Sequence, residues 1–133
     1  GRTLLMDLYY YNFTCKNAKG ARGPKILPYG VYKRNPDPES IRSTQLERIQ
    51  RGGWHLSYFG NVDFIRKKLM NFSHQKFNNE HWLDPKRIDE HIKAGKDLFD
   101  RSGQHWIRID LEDNDYLPRN YNMLLGSTIT NGS

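Results

Sequence analysis

The chain reads as an α/β domain, and three observations carry that prediction. Residues 4–13, LLMDLYYYNF, are apolar and aromatic at odd and even positions alike, the pattern of a strand covered on both faces. Two later stretches, opening at Asn61 and at Asp84, combine helix-start chemistry with apolar residues three and four apart. Further short strand-like segments stand at 54–59 and 105–110. Strands alternating with helices over 133 residues fit a mixed sheet with flanking helices and one core, residues 1–133 forming one domain or the C-terminal portion of one.

The elements follow in order. After the strand at 4–13, residues 16–25, KNAKGARGPK, form a basic loop with two Gly and a Pro. Residues 26–32, ILPYGVY, read as a second strand that Pro28 and Gly30 confine to an edge or a bulge. Pro36-Asp37-Pro38-Glu39 opens a helix, since Pro is tolerated in a first turn and acids suit the dipole there. Ile41, Leu46 and Ile49 give it one apolar stripe, and Gly52-Gly53 ends it. Trp54–Phe59 is a strand and Gly60-Asn61 a turn. Asn61 caps a helix with Phe64, Ile65, Leu69 and Met70 inward and Arg66, Lys67 and Lys68 outward. Residues 73–82, SHQKFNNEHW, lack periodicity and read as a loop. Asp84-Pro85 starts a short amphipathic helix through Ile88, His91 and Ile92, stopped at Gly95. A strand at 105–110 and an acidic turn at Glu112–Asp115 complete the series.

Composition narrows the partners. The net charge is +6 and aromatics make up 13%, so anionic ligands are favoured: nucleic acid, phosphate groups or nucleotide-sugars. Basic and aromatic residues interleave at Tyr29–Arg34 and Arg66–Lys76, as in a nucleic-acid-binding module, yet no recognised nucleic-acid motif is present. Cys15 is the sole cysteine, which excludes an intramolecular disulfide and a cysteine-based zinc site. No apolar run approaches the roughly 20 residues that span a membrane.

The stretch richest in chemistry is Gly52-Gly53-Trp54-His55-Leu56-Ser57-Tyr58-Phe59-Gly60. Two glycines permit close backbone approach, and a stacking ring, an imidazole and two hydroxyls follow. The bland alternative is a helix stop followed by core aromatics and a half-buried histidine. His74 and His81 share a polar stretch with Glu80, but their spacing is not that of a metal site. No carboxylate pair stands at a spacing that argues for two-carboxylate catalysis.

Met6–Asn12, then GGWHLS at 52–57, Phe72-Ser73-His74 and GKDLF at 95–99 with Arg101 stand in an order that resembles glycosyltransferase family 17, in its microbial and viral members especially. That family includes the enzyme that adds the bisecting N-acetylglucosamine to N-glycans. The resemblance implies a GT-A-like nucleotide-sugar transferase domain and inverting transfer of a hexosamine, N-acetylglucosamine above all, to a glycan hydroxyl. It implies UDP-N-acetylglucosamine as donor, a glycan acceptor and a divalent metal, Mn or Mg. Gly53, Trp54, His55 and Ser57 stand in the signature. Trp54 would stack on a sugar face; His55 would be a metal ligand, a diphosphate contact or the base. Asp97 would be a carboxylate base, and His74 and Arg101 substrate contacts. The acidic donor motif expected before the aromatic strand is not seen, so the chain is expected to be the acceptor-side portion of such a domain, completed by an N-terminal segment. A nucleic-acid-binding module and a noncatalytic glycan-binding remnant are the alternatives.

Overall fold

A computed structural model describes residues 1–34, 36–43, 46–71 and 75–124. The long aromatic strand organises it. β1 (Arg2–Tyr11) lies at the middle of a six-stranded mixed sheet. Two short strands run antiparallel to it in succession: β2 (Cys15–Asn17), with Tyr9 opposite Lys16, and β3 (Ala21–Ile26), with Arg2 opposite Ile26. They form one hairpin arm broken at Gly20 (φ 74°), where a Cβ would fall 2.6 Å from the Met6 carbonyl oxygen.

On the opposite side of β1 run two parallel strands. β4 (Glu47–Ile49) pairs with Arg2–Leu4, and β5 (Trp54–Phe59) pairs with Asp7–Tyr11. From Leu4↔Ile49 to Asp7↔Trp54, three steps on β1 are matched by five on this arm, so two extra residues are taken up between the strands. Gly52-Gly53 is that break. The Gly52 N–H donates to the Leu5 carbonyl at 2.9 Å, and a Cβ on Gly52 would sit 2.7 Å from Leu4 Cβ. Gly53 has φ 127°, and its carbonyl accepts the Asp7 N–H at 2.9 Å. The glycines therefore serve close approach to β1 and do not stop a helix. β6 (Trp106–Arg108) closes the sheet beyond β2.

Helices fill the remainder: α1 (Tyr29–Arg34), α2 (Pro38–Ser43), α3 (Val62–Asn71), α4 (Glu80–Leu83) and α5 (Pro85–Ala94). Several expectations are corrected. Residues 16–25 are mostly strand, because β3 lies at the sheet edge, where Pro24 lacks no needed donor. Residues 29–34 are helical: the Pro28 carbonyl accepts from the Val31 and Tyr32 N–H groups, so Pro28 opens a helix and does not bend a strand. The helix expected to reach Gly52 ends at Ser43, and pairing with β1 claims residues 47–49. The stretch 73–82 contains a 3-10 turn (Gln75–Phe77) and α4, capped by the Asn79 side chain. In α3 the buried stripe is Ile65 and Leu69, four apart, while Phe64 and Met70 fall off it and are exposed. Asn61, Asp84 and Gly95 cap α3 and α5 as expected; Gly95 is left-handed (φ 66°).

α3 and α5 cover one face of the sheet. Tyr10, Tyr11, Cys15, Tyr58, Ile65, Leu69, Ile88 and Leu98 form the core there. The other face carries Tyr9, Phe13, Phe59 and Trp54, packed under residues 114–121: Asn114 donates to the Tyr9 hydroxyl at 2.7 Å, and Tyr121 meets Phe13 edge-on.

Candidate functional site

The parallel strands β1 and β5 end side by side at Tyr11 and Phe59, the end of a sheet where α/β proteins place ligands. Both ends are distorted. Tyr11 (φ 64°) and Tyr58 (φ 45°) are left-handed, a conformation bulky side chains avoid, and Tyr58 is the extra residue of a bulge opposite Tyr10/Tyr11. Left-handed residues break the alternation of a strand. Tyr10 and Tyr11 consequently enter the same core cluster, and the Tyr58 ring meets Tyr10 at 5.5 Å.

The centre of the arrangement is the Tyr10 hydroxyl. It accepts from Arg101 Nη2 at 3.3 Å, and Ser57, the register partner of Tyr10 on β5, lies beside it. Burial raises the Tyr10 pKa, against the pull of Arg101, so the hydroxyl stays protonated. Arg101 is held in turn by Asp97, through Nε to Oδ2 at 3.0 Å and Nη2 to Oδ1 at 2.9 Å. The Trp106 indole N–H gives Asp97 Oδ1 a further bond at 3.1 Å, and the Phe99 and Arg101 N–H groups reach Oδ2 at 3.3 and 3.0 Å. Burial alone would raise the Asp97 carboxyl, but the donors of Arg101 and Trp106 outweigh it and hold it below the usual carboxylate range. Donating to Asp97 keeps Arg101 firmly charged. Two aromatic–cation contacts border this place: Lys68 Nζ lies 4.8 Å above the Tyr58 ring, and the Arg101 guanidinium 5.3 Å from the Phe99 ring.

The residues singled out from the sequence divide between two faces. Ser57 pairs with Tyr10 and His55 with Leu8, so both lie on the face that carries Asp97 and Arg101. His55 is exposed and has no hydrogen-bond partner among the described residues. Trp54 pairs with Asp7 and occupies the opposite face. Its ring stacks on Tyr116 (4.5 Å, 24°), and its indole N–H donates to the Tyr116 carbonyl at 3.2 Å. Arg51 covers Tyr116 at 5.4 Å and pairs with Asp115 at 2.8 Å. A sugar on Trp54 would therefore have to share or displace that stack. Gly53 is a backbone feature of the break, and His74 lies outside the described residues.

Asp97 does not have the form of a free base: both of its oxygens are engaged and its proton affinity is low. In the sequence Tyr10 and Trp106 read only as strand residues. Tyr10 sits in an aromatic run that reads as core, and only the register reveals that it faces Ser57.

Among the described residues no group of three or more His, Cys, Asp or Glu side chains could hold a metal ion. The neighbours of His55 on its own face of the sheet are Ser57, Leu8 and Tyr10, so a divalent ion would need ligands beyond these. No helix among the described residues is long and apolar enough to cross a membrane. Comparison with family models, with curated proteins and with solved structures finds no match.

Proposed function

We propose that this chain carries the acceptor-side part of a GT-A-like glycosyltransferase of the family-17 type. It would transfer a hexosamine, N-acetylglucosamine first, from a nucleotide-sugar to a glycan hydroxyl with inversion. One observation supports this most: the two stretches that carry the resemblance, GGWHLS and GKDLF with Arg101, meet at the Tyr10 hydroxyl although they are far apart in sequence. In the reaction an acceptor oxygen bonds to the anomeric carbon as the bond from that carbon to the diphosphate oxygen breaks. The diphosphate leaves with the electron pair, and the acceptor proton goes to a base. Arg101, fixed by Asp97, supplies positive charge to the leaving diphosphate, and the protonated Tyr10 hydroxyl holds Arg101 in place. Asp97 acts as the anchor of Arg101. Among the described polar groups on this face, His55 has a ring nitrogen without a hydrogen-bond partner and would take the proton.

The test is transfer by the full protein from UDP-N-acetylglucosamine to an N-glycan acceptor, read by mass spectrometry. His55→Ala is expected to lower turnover by about 100-fold or more with the fold retained. Undiminished transfer by that variant removes the base role. A protein that neither binds nor turns over nucleotide-sugars, yet binds RNA with a steep salt dependence, points instead to the nucleic-acid-binding alternative.

A further inference from the structure

Arg101 is presented by a tight turn, and that turn is held from α5. Gly95 ends the helix, and the Lys96 N–H returns to the His91 carbonyl at 3.0 Å. The chain then turns through Asp97–Asp100, with the Asp100 N–H on the Asp97 carbonyl at 3.1 Å and Asp100 itself left-handed (φ 53°). Two α5 side chains one turn apart grip this segment. Arg87 Nη2 bonds the Leu98 carbonyl and lies 3.4 Å from Asp100 Oδ2. His91 Nε2 lies 2.6 Å from Asp100 Oδ1.

The other ring nitrogen of His91 decides its state. Nδ1 lies 2.8 Å from the Arg87 carbonyl oxygen, which can only accept. The Asp100 carboxylate can only accept while ionised, and it is ionised: burial would raise its carboxyl, but the bonds from His91 and Arg87 outweigh that and lower it. Both ring nitrogens therefore face acceptors, and satisfying both takes two N–H groups. A neutral ring has one. It must turn a lone pair toward either the carbonyl or the carboxylate, and one contact is lost.

We infer that His91 is a positioning residue: as an imidazolium it clamps Asp100 and so holds the 97–101 turn in the form that aims Arg101 at Tyr10. With both N–H groups the ring holds the Arg87 carbonyl and Asp100 together; with one it can hold only one of them, and the joint grip on the turn is gone. The charged groups facing the ring are Asp100 from the turn and Arg87 from its own helix. From β6, Arg108 bonds the Lys93 carbonyl of α5; α4 meets α5 where Trp82 lies against Arg87, and α3 meets it through the apolar Ile65, Leu69 and Ile88. The inference deepens the proposed site, and it rests on the transferase assignment only for what Arg101 binds.

The experiment is a pH titration by nuclear magnetic resonance of the full chain from about pH 5 to about pH 8, following the His91 ring nitrogens together with the Asp100 and Arg101 amides. The expected result is a common midpoint: as the ring passes from doubly to singly protonated, both amides shift with it. His91→Gln is expected to leave the Arg101 amide flat over the same range, and Asp100→Asn to uncouple it from a ring that still titrates. A ring that titrates while the wild-type amides stay still overturns the inference, as does a ring that remains in a neutral tautomer throughout. The wild-type titration decides the matter even if a variant does not fold. It needs no substrate, so its failure is separate from failure of the transferase assay.

Discussion

Replacing Asp97 by Asn keeps the shape of the side chain and removes its charge. In the native cluster Oδ2 accepts from three donors, the Phe99 and Arg101 N–H groups and Arg101 Nε, and Oδ1 from two, Arg101 Nη2 and Trp106 Nε1. An amide offers one oxygen and one NH2. Whichever way it is turned, the NH2 opposes at least two donors, in a place where the side chain is 5% exposed. A hydrogen bond to a charged group contributes ~1.5–3 kcal/mol, so losing two costs ~3–6 kcal/mol. The Arg101 side chain is 46% exposed, and water can take up its freed donors. That places the expected loss at the lower end, ~3 kcal/mol. The assay is urea unfolding followed by tryptophan fluorescence, where the midpoint should fall by about 1.5 M for a slope of about 2 kcal/mol per M. Arg101→Gln should cost less, because Asp97 then keeps Trp106 and two backbone donors. An Asp97→Asn variant within about 0.5 kcal/mol of wild type at unchanged slope would refute the anchoring role.

Gly52→Ala should destabilise by ~2–3 kcal/mol, since its Cβ would fall 2.7 Å from Leu4 Cβ, within a paired strand that cannot withdraw. Gly103→Ala, where a Cβ meets nothing within 4 Å, should stay within about 0.5 kcal/mol in the same unfolding assay. Asp97 and Asp100 both have folded-state pKa values below the ordinary carboxyl value. Their contribution is therefore complete above about pH 4 and is lost as pH falls through the lower folded values; melting temperature should drop over that acid range, and less steeply in Asp100→Asn. Burial pushes the Cys15 thiol up to about 11. The native protein should resist a thiol reagent at about pH 8 and react on unfolding, as a colorimetric thiol assay can show.

What could be read from the sequence was local chemistry. Asn61, Asp84-Pro85 and Gly95 announce helix ends by their own side chains and backbone, and these stand where expected. The long aromatic run announces a buried strand, and β1 is buried at Tyr9–Tyr11 and half-buried over Leu4–Leu8. What could not be read was pairing. Glu47–Ile49 has a helix-compatible pattern, and only the presence of β1 makes it a strand. Pro24 is permitted in β3 because of where the sheet edge falls, which no local signal states. The site shows the same division. His55, Ser57, Asp97 and Arg101 were visible as residue types, but the partition that puts Trp54 on the far face and Tyr10 among them depends on register.

That register is set by irregularities. In a strand of period two, a single-residue slip moves every side chain to the other face, whereas a two-residue insertion preserves the faces. The break at Gly52-Gly53 takes up two residues, so the faces of β4 carry through into β5, and Trp54 and His55 keep opposite sides. The bulge at Tyr58 takes up one. It lets Tyr58 stay on the side of Ser57 while Phe59 crosses to Phe13, just as left-handed Tyr11 joins Tyr10 in the core below. Without those two left-handed tyrosines, strict alternation would send Tyr11 and Tyr58 to the face of Trp54, and Tyr10 would lose its ring contacts with both. Each such residue carries a backbone cost of ~1–3 kcal/mol. The strain therefore sits where it gathers the rings around Tyr10, on whose hydroxyl the resemblance-bearing segments converge.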